Sequence, residues 1–332
     1  MNLFDLPTAP ATRAGQAFDL DDDRAYRRWR DWKLAQLSGD ASALIVHVQD
    51  PNSLSTAEQA ALIDCITRCN VAIYHIDIAR VVPDKALALA PGNTADKSLP
   101  QALGAQLGLH RLDANWLADE DGVSSIQVRR SSSGEGDHAG AHAAFIPYTD
   151  KAIRWHTDGY YHPAGRTIHA MVLHCVRPAA RGGVNTLLDH ELAYIALRDR
   201  DPALVRALMH PEVMTIPARE DAQGVARAAQ TGPVFSVHGG CLHMRYTARK
   251  RSIAWRDDEA TRRAVAALEA VLDDPATPGR LQLQLQAGMG IVGHNVLHDR
   301  SSFDDDPAQP RLLYRARFLD RCKVLDPPWL NG

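Results

Sequence analysis

The sequence has no excess of charge of one sign and no long apolar run. Its 332 residues carry 37 Lys and Arg against 40 Asp and Glu, a formal net charge of −3, so the basic surface typical of nucleic-acid binding is missing. No apolar stretch is long enough to span a bilayer, and residues 1–23 lack the basic-then-apolar order of a signal peptide. These absences predict a soluble, cytoplasmic protein with neither a nucleic-acid partner nor a membrane location.

Cysteine is also scarce, with five residues at positions that show no paired spacing. The odd count and the lack of an export signal argue against a disulfide framework. Cys65 and Cys69 stand four apart in a helical pattern and therefore share one face. A buried pair of small apolar residues is favoured there over a redox or metal site, which fits a reduced compartment.

The first 43 residues are predicted to form a helical extension. Tyr26, Trp29, Leu34 and Leu37 fall on one stripe of a segment that is otherwise rich in Arg and Asp. Residues 44–332 are predicted to be a single domain. A strand at 44–48, a helix beginning near the capping box at Ser55, a strand at 71–78 and a helix at 99–107 would open it.

From about residue 124, short strand-like segments separated by turn formers dominate the pattern. They lie at 126–129, 167–176, 213–216, 242–246, 281–285 and 312–319, and helices are predicted at 191–209 and 258–272. Many short strands with long excursions favour a mainly β fold with flanking helices, a jelly-roll (cupin-like) double-stranded β-helix, over a parallel α/β sheet. The polar, glycine-rich run at 130–143 is either a plain surface loop or an active-site lid.

A His-x-Asp pattern at His156 and Asp158 is the strongest chemical feature of the chain. Residues two apart in a strand point to the same face, so an imidazole and a carboxylate can bind one ion together. With a second histidine from elsewhere they would form the facial triad of non-haem Fe(II) oxygenases, which leaves open coordination positions. The same pattern at His75 and Asp77 continues an apolar strand, where a hydrogen-bonded histidine is the better interpretation.

Two arginines far downstream add to this pattern. Arg311 and Arg315 are separated by an even number of residues in a strand-like run, so their guanidinium groups should emerge on one face. Two cations on the inner face of a barrel are costly unless an anion binds there, and the planar arginine fork suits a carboxylate. The alternative is two exposed arginines on an edge strand.

These residues together resemble the taurine dioxygenase / TfdA-like family, including its γ-butyrobetaine hydroxylase branch. The resemblance covers about residues 153–319 and rests on five ordered elements: Trp155-His156-Thr157-Asp158, residues 173–176 with 182–189, Met244-Arg245-Tyr246, Val296-Leu297-His298 with Arg300 and Phe303, and Arg311 with Arg315. The family fold is the double-stranded β-helix. One departure is Gly293-His294-Asn295, where family members often have Asn-x-Arg.

The resemblance implies His156, Asp158 and His298 as iron ligands, with Thr186 and Arg311 holding the distal carboxylate of 2-oxoglutarate. Fe(II), 2-oxoglutarate as cosubstrate and dioxygen are the implied cofactors. Arg315 matches a position that can touch an anionic substrate, with Asp299 as the alternative internal partner of its charge. The expected reaction is hydroxylation of an unactivated C–H bond with release of succinate and CO2, while desaturation and ring formation stay open.

The expected substrate is a small anionic or zwitterionic molecule. Tyr160 and Tyr161 could pack on an apolar or cationic part of it, and a homo-oligomer is compatible with the sequence. Two alternatives compete with the oxygenase: a non-catalytic metal-binding or small-molecule-sensing barrel, and a zinc hydrolase with the same ligands. Neither explains an anchor for a 2-oxo acid at Thr186 and Arg311.

Overall fold

The computed structural model describes six stretches of the chain: residues 13–37, 40–76, 97–114, 121–128, 145–221 and 224–331. The predicted loop at 130–143 and the carboxylate of the second His-x-Asp pattern, Asp77, lie outside these residues.

The helices flank a sheet-rich centre. Their bounds are α1 Arg13–Gln16, α2 Asp23–Ala35, α3 Thr56–Cys69, α4 Leu99–Gln106, α5 His190–Arg200, α6 Pro202–Leu208 and α7 Glu259–Asp273. The capping box expected at the start of α3 is present, since Ser55 and Glu58 exchange both hydrogen bonds. Within the described residues, no helix has the length and apolar character needed to cross a membrane.

The strands are short, as the turn-rich sequence predicts. They are β1 Ile45–Val48, β2 Val71–Ile76, β3 Ser124–Ile126, β4 Ile153–His156, β5 Ala170–Arg177, β6 Arg181–Gly182, β7 Asn185–Leu188, β8 Met214–Ile216, β9 Arg219–Asp221, β10 Gly224–Arg227, β11 Gln230–Gly232, β12 Phe235–His238, β13 Cys241–Met244, β14 Ala254–Trp255, β15 Arg280–Leu283, β16 Met289–His294, β17 Leu297–Arg300, β18 Phe303–Asp304 and β19 Leu312–Phe318.

Two sheets form the centre of the fold. The larger has the order β1-β2-β16-β5-β19-β3, and the smaller has the order β15-β7-β17-β4. Apart from the parallel pair β1–β2, their strands pair antiparallel. Leu187 and Leu281 of the smaller sheet share one buried cluster with Leu173 and Leu313 of the larger. The sheets therefore face each other across a core, which confirms the predicted jelly roll.

A second buried cluster covers the outer face of the smaller sheet. Leu188 and Leu297 contribute to it from the sheet, and α2, α5, α6 and α7 close over them. Trp29 of α2 packs edge-on against Tyr194 of α5, with ring centroids 6.0 Å apart. Part of the predicted N-terminal extension thus belongs to this cluster, while a boundary at residue 43 stays a prediction.

The single helix predicted at 191–209 is wrong, because the chain forms α5 and α6 with a break between them. Asp201 is extended at φ −168° and its carboxylate accepts a hydrogen bond from the Ala203 amide at 2.9 Å. Pro202 disfavours helical geometry in the residue before it, and it is well suited to the first turn of a new helix. The apolar periodicity continues across the break, which explains why the pattern alone predicts one helix.

Candidate metal centre and substrate cavity

Three candidate metal ligands meet at one end of the smaller sheet. His156 ends β4 and His298 lies on β17, where the two residues are direct cross-strand partners. Asp158 follows two residues after His156, and one ligand atom from each of the three residues lies within 4.8 Å of the others. In the described part of the chain this is the one such group. The structure therefore brings together the three residues that the sequence predicts.

Both imidazoles are oriented by their own strands. Nδ1 of His156 lies 3.0 Å from the Arg154 carbonyl, and Nδ1 of His298 lies 2.9 Å from the Val296 carbonyl. A carbonyl only accepts, so each Nδ1 carries the proton and each Nε2 keeps a free electron pair. Burial, followed by the neighbouring His298, lowers the pKa of His156 to about 3. The neutral ring required for metal binding is thus the stable form.

Asp158 is held from two sides. The Asn295 side chain accepts from the Asp158 amide and donates to its carbonyl, both at 2.8 Å, and Arg315 donates to its Oδ1 at 3.0 Å. Burial would raise the pKa of this carboxyl, but Arg315 and Arg317 outweigh burial and hold the pKa well below its usual range. Its Oδ2 is buried with no hydrogen-bond partner. A metal ion would satisfy that oxygen, and two imidazoles with one carboxylate suit Fe(II).

A small cavity of about 50 Å³ adjoins the ligands on the inner side of the smaller sheet. Arg311, Asn185 and Arg300 line it together with His298. The Arg311 guanidinium is buried against the Phe303 ring at 4.9 Å. No ion pair joins it to a described carboxylate, and burial lowers its pKa to about 10. A buried cation that forms no ion pair with a described carboxylate favours a bound anion.

The structure does not bring Thr186 to this cavity. Asn185 is the cross-strand partner of Arg300 and Leu187 that of His298, so these four side chains share the inner face. Thr186 instead pairs with Asp299 and with the exposed Gln282, which places it on the opposite face. Because side chains alternate along a strand, the one-residue difference decides the face. Asn185, rather than Thr186, lines the cavity together with Arg311.

A larger cavity of about 360 Å³ opens from the ligands toward the surface. His156 and Asp158 line its inner end, and its walls include Tyr160, Tyr161 and Arg315, the three residues for which substrate binding is predicted. The Tyr160 and Tyr161 rings pack edge-on with centroids 5.2 Å apart. Seven of its lining residues are arginines, at 154, 219, 227, 249, 251, 315 and 317, whereas Asp158 is the one carboxylate among those described.

The two innermost arginines already have protein partners. Arg315 pairs with Asp158 at 3.0 Å, so Asp299 is not the partner of its charge. Arg317 pairs with Asp113 at 2.9 Å and donates to the Tyr161 hydroxyl at 3.0 Å. Asp113 and Arg317 lie outside the residues that the sequence singles out, because the ion pair joins segments 204 positions apart. Asn295 could have been found only from its place three residues before His298.

The second His-x-Asp pattern has a different environment. His75 lies in β2, paired with His47 on one side and Met289 on the other. The His75 ring packs against the His47 ring at a tilted angle, with centroids 5.5 Å apart. His75 belongs to no group of metal-ligating residues in the described part of the chain. The preference for His156 over His75 therefore agrees with the geometry.

A jelly roll with a two-histidine, one-carboxylate group at its mouth and a buried arginine beside it defines the class of mononuclear non-haem iron(II) oxygenases. A family model, "Taurine catabolism dioxygenase TauD, TfdA family", matches residues 109–317. The chain belongs to this family, whose members use Fe(II), 2-oxoglutarate and dioxygen. The protein is accordingly an Fe(II)- and 2-oxoglutarate-dependent oxygenase.

Two curated relatives share the name uridine-5'-phosphate dioxygenase. One, from Streptomyces sp, is 33% identical over 205 residues, which are 60% of this chain and 69% of the relative. The other, from Amycolatopsis sp, is 34% identical over 173 residues, 50% of this chain and 60% of the relative.

Solved structures agree on the fold. Non-heme iron oxygenase OrfP in complex with Fe and alpha-ketoglutaric acid is 20% identical with a TM-score of 0.55, over 96% of this chain and 93% of that one. Asparagine oxygenase in complex with Fe(II), 2S,3S-3-hydroxyasparagine and succinate is 16% identical with a TM-score of 0.52, over 92% and 91%.

Proposed function

We propose that His156, Asp158 and His298 hold the iron and that Arg311 and Asn185 hold 2-oxoglutarate. The single observation that carries the metal assignment is the buried, unpartnered Oδ2 of Asp158 beside two Nε2 atoms whose rings are already oriented. The cosubstrate assignment rests on the unpaired charge of Arg311 in the cavity that adjoins His298.

The protein's own groups prepare the site for this chemistry. When bound, Fe(II) couples the oxidative decarboxylation of 2-oxoglutarate to succinate and CO2 with oxidation of the substrate by dioxygen. Arg315 fixes the Asp158 carboxylate and Asn295 fixes the Asp158 backbone, so the side chain is positioned before a metal ion binds. Arg311 would grip the distal carboxylate with its planar fork, and the Asn185 amide would donate to the same group.

The substrate of this proposal is a small anionic molecule, with uridine-5'-phosphate as the first one to test. The arginine-rich lining of the 360 Å³ cavity supports an anion, and both curated relatives are named for that nucleotide. Tyr160 and Tyr161 offer flat faces on which a base can pack. Hydroxylation of a C–H bond is the proposed outcome, with desaturation or ring formation as alternatives that product analysis separates.

The test of the ligand assignment is single substitution of the three residues. His156→Ala, Asp158→Ala and His298→Ala should each abolish stoichiometric Fe(II) binding and 2-oxoglutarate-dependent succinate formation, because a facial triad has no spare ligand. Circular dichroism would check that each variant folds.

His75→Ala is the matched control, since His75 lies on β2 and lines neither cavity. It should keep Fe(II) binding and turnover near the wild-type values. The assignment fails if His75→Ala, while folded, loses iron as completely as His156→Ala, or if a folded triad variant binds iron normally.

A further inference from the structure

The outer part of the 360 Å³ cavity carries arginines from two separate segments. Arg219 and Arg227 come from β9 and β10, and Arg249 comes from the segment after β13. Arg227 and Arg249 differ from Arg315 and Arg317, whose charges are compensated by Asp158 and Asp113. The charges of Arg227 and Arg249 are therefore the ones that remain available to a substrate in this part of the cavity.

Arg219 and Arg227 are direct partners across the β9–β10 hairpin. Like charges in that position destabilise an antiparallel pair unless something of opposite charge lies between them. Burial, with a contribution from Arg219, lowers the pKa of Arg227 even though Tyr160 and Tyr161 act in the other direction. The hairpin therefore carries two arginines side by side on the wall of the cavity.

Arg227 is half-buried, and the protein supplies it with dipoles rather than a counter-ion. Its guanidinium donates to the Pro217 carbonyl at 2.7 Å and lies over the Tyr161 ring with Cζ 5.9 Å from the centroid. No described carboxylate forms an ion pair with Arg227. The carbonyl contact fixes the plane of the guanidinium while the charge stays available, which is how a preorganised anion site is built.

Arg249 approaches the same region from the other segment. Its side chain hydrogen-bonds with the phenol of Tyr160, which also contacts Thr247. Tyr160 in turn packs on Tyr161, beneath Arg227. The tyrosine pair therefore bridges the two arginine-bearing segments, and no described carboxylate forms an ion pair with Arg249.

We propose that Arg227 and Arg249 form a subsite for the phosphate of a phosphomonoester substrate, and that this subsite determines specificity. This inference rests on the proposed function only in placing the substrate in this cavity. Guanidinium groups from two directions match the several oxygens and double charge of a phosphate better than a single carboxylate. The phosphate lies at the outer arginines, so the rest of the substrate extends along Tyr160 and Tyr161 toward the metal ligands.

Binding rather than turnover tests the subsite. Uridine-5'-phosphate, uridine and inorganic phosphate would be titrated calorimetrically, under argon, into protein loaded with Fe(II) and 2-oxoglutarate. The wild type should bind the nucleotide at least about 10-fold more tightly than uridine, and phosphate should compete with the nucleotide. Arg227→Gln and Arg249→Gln should each weaken the nucleotide about 10- to 100-fold, as expected for losing a hydrogen bond between charged groups, and leave uridine unchanged.

Arg263→Gln on α7 is the matched control, because this exposed arginine pairs with Asp201 away from the cavity. It should bind all three probes as the wild type does. The inference is overturned if the wild type does not distinguish the nucleotide from uridine, or if the two cavity variants keep that distinction or lose both probes equally. If the subsite fails in one of these ways but 2-oxoglutarate still binds normally, the proposed function is unaffected. A wild type that binds no 2-oxoglutarate would overturn both the subsite and the proposed function.

Discussion

At the scale of single residues, the buried arginines near the metal ligands differ in whether the protein neutralises them. Arg315 and Arg317 have carboxylate partners at 3.0 and 2.9 Å. Arg311, equally buried, has an aromatic ring and no described carboxylate in an ion pair. Pairing ties Arg315 to Asp158 and Arg317 to Asp113, whereas the charge of Arg311 stays available for the anion that we propose it binds.

We expect Arg311→Ala to raise the 2-oxoglutarate KM strongly while the fold survives. Losing a charge-assisted, forked contact in a shielded cavity should cost on the order of 2–5 kcal/mol of binding. Arg311→Lys should recover only part, because an ammonium cannot make the planar two-point contact. Steady-state kinetics with varied 2-oxoglutarate would measure both, and an unchanged KM in Arg311→Ala would contradict the assignment.

The neighbouring pair Asn185 and Thr186 offers a test of the strand register. Asn185→Ala should weaken 2-oxoglutarate binding, because Asn185 shares the inner face with Arg300 and His298. Thr186→Ala should leave that affinity close to the wild-type value, since Thr186 lies on the other face. The reverse result would mean that the sequence-based choice of Thr186 was right and that the register in the protein differs by one residue.

At the scale of elements, the packing of β16 between β2 and β5 depends on a residue without a side chain. A Cβ at Gly293 would lie 2.3 Å from the carbonyl oxygen of Asn70. That carbonyl also accepts a hydrogen bond from the His294 amide at 2.8 Å, so it cannot move away freely. The glycine thus lets β16 approach the end of α3 closely.

Gly293→Ala should therefore destabilise the fold by about 1–3 kcal/mol, the usual cost of overpacking a core. Urea unfolding followed by circular dichroism would measure it. Gly165→Ala is the control, because a Cβ there would meet nothing within 4 Å. Equal stability of the two variants would show that the sheet accommodates the extra methyl group.

The contact between α2 and α5 is electrostatic at its centre. The Lys33 ammonium lies 2.6 Å from both the Asp189 and the Glu191 carboxylates, and its side chain is 2% exposed. Burial would raise the pKa of Glu191, but Lys33 outweighs burial and holds the pKa below its ordinary value of 4.5. The buried lysine thus compensates two acidic groups at the start of one helix.

Lys33→Met should cost about 3–5 kcal/mol of folding free energy, because it leaves two carboxylates buried without their cation. The unfolded chain binds a proton at Glu191 more readily than the folded one. The wild-type contribution is therefore present above pH 4.5 and is lost as the pH falls through the lower, folded pKa. Urea unfolding at several pH values would measure both the loss of stability and its dependence on pH. Lys250→Met is the control, because Lys250 is exposed. A Lys33→Met variant as stable as the wild type at pH 7 would contradict the prediction.

At the scale of the whole molecule, the proposed metal and cosubstrate sites draw residues from both sheets. His156 and His298 lie on the smaller sheet. Arg311 immediately precedes β19 of the larger sheet, and Arg315 lies within that strand. A ligand that contacts both sheets binds the folded protein and not the unfolded chain. Such a ligand therefore stabilises the complete fold.

We expect Fe(II) and 2-oxoglutarate, added together under argon, to raise the Tm by a few degrees, since ligand at about 100 times its Kd adds about 2.7 kcal/mol. Arg311→Ala should keep the increment from Fe(II) and lose the one from 2-oxoglutarate. His298→Ala should lose both. Differential scanning calorimetry would measure these shifts, and a full 2-oxoglutarate increment in His298→Ala would mean that the cosubstrate binds away from the metal.

Local sequence determined much of this protein. The alternation of short strands and turns predicts the jelly roll, and the spacing of His156 and Asp158 predicts two ligands on one face, because both patterns depend only on neighbours along the chain. The motif around His298, read with Arg311, was sufficient to predict the third ligand through the family resemblance.

Tertiary structure decided what depends on contacts between distant segments. The pairing of Arg315 with Asp158 and of Arg317 with Asp113, and the choice of Asn185 over Thr186 at the inner face, follow from strand register and from ion pairs that no local pattern encodes. The break between α5 and α6 is by contrast a local effect of Asp201 and Pro202, which the apolar period that runs across it conceals. Arg227 and Arg249 line the same cavity only because the fold brings two distant segments together, and no local pattern predicts the subsite proposed for them.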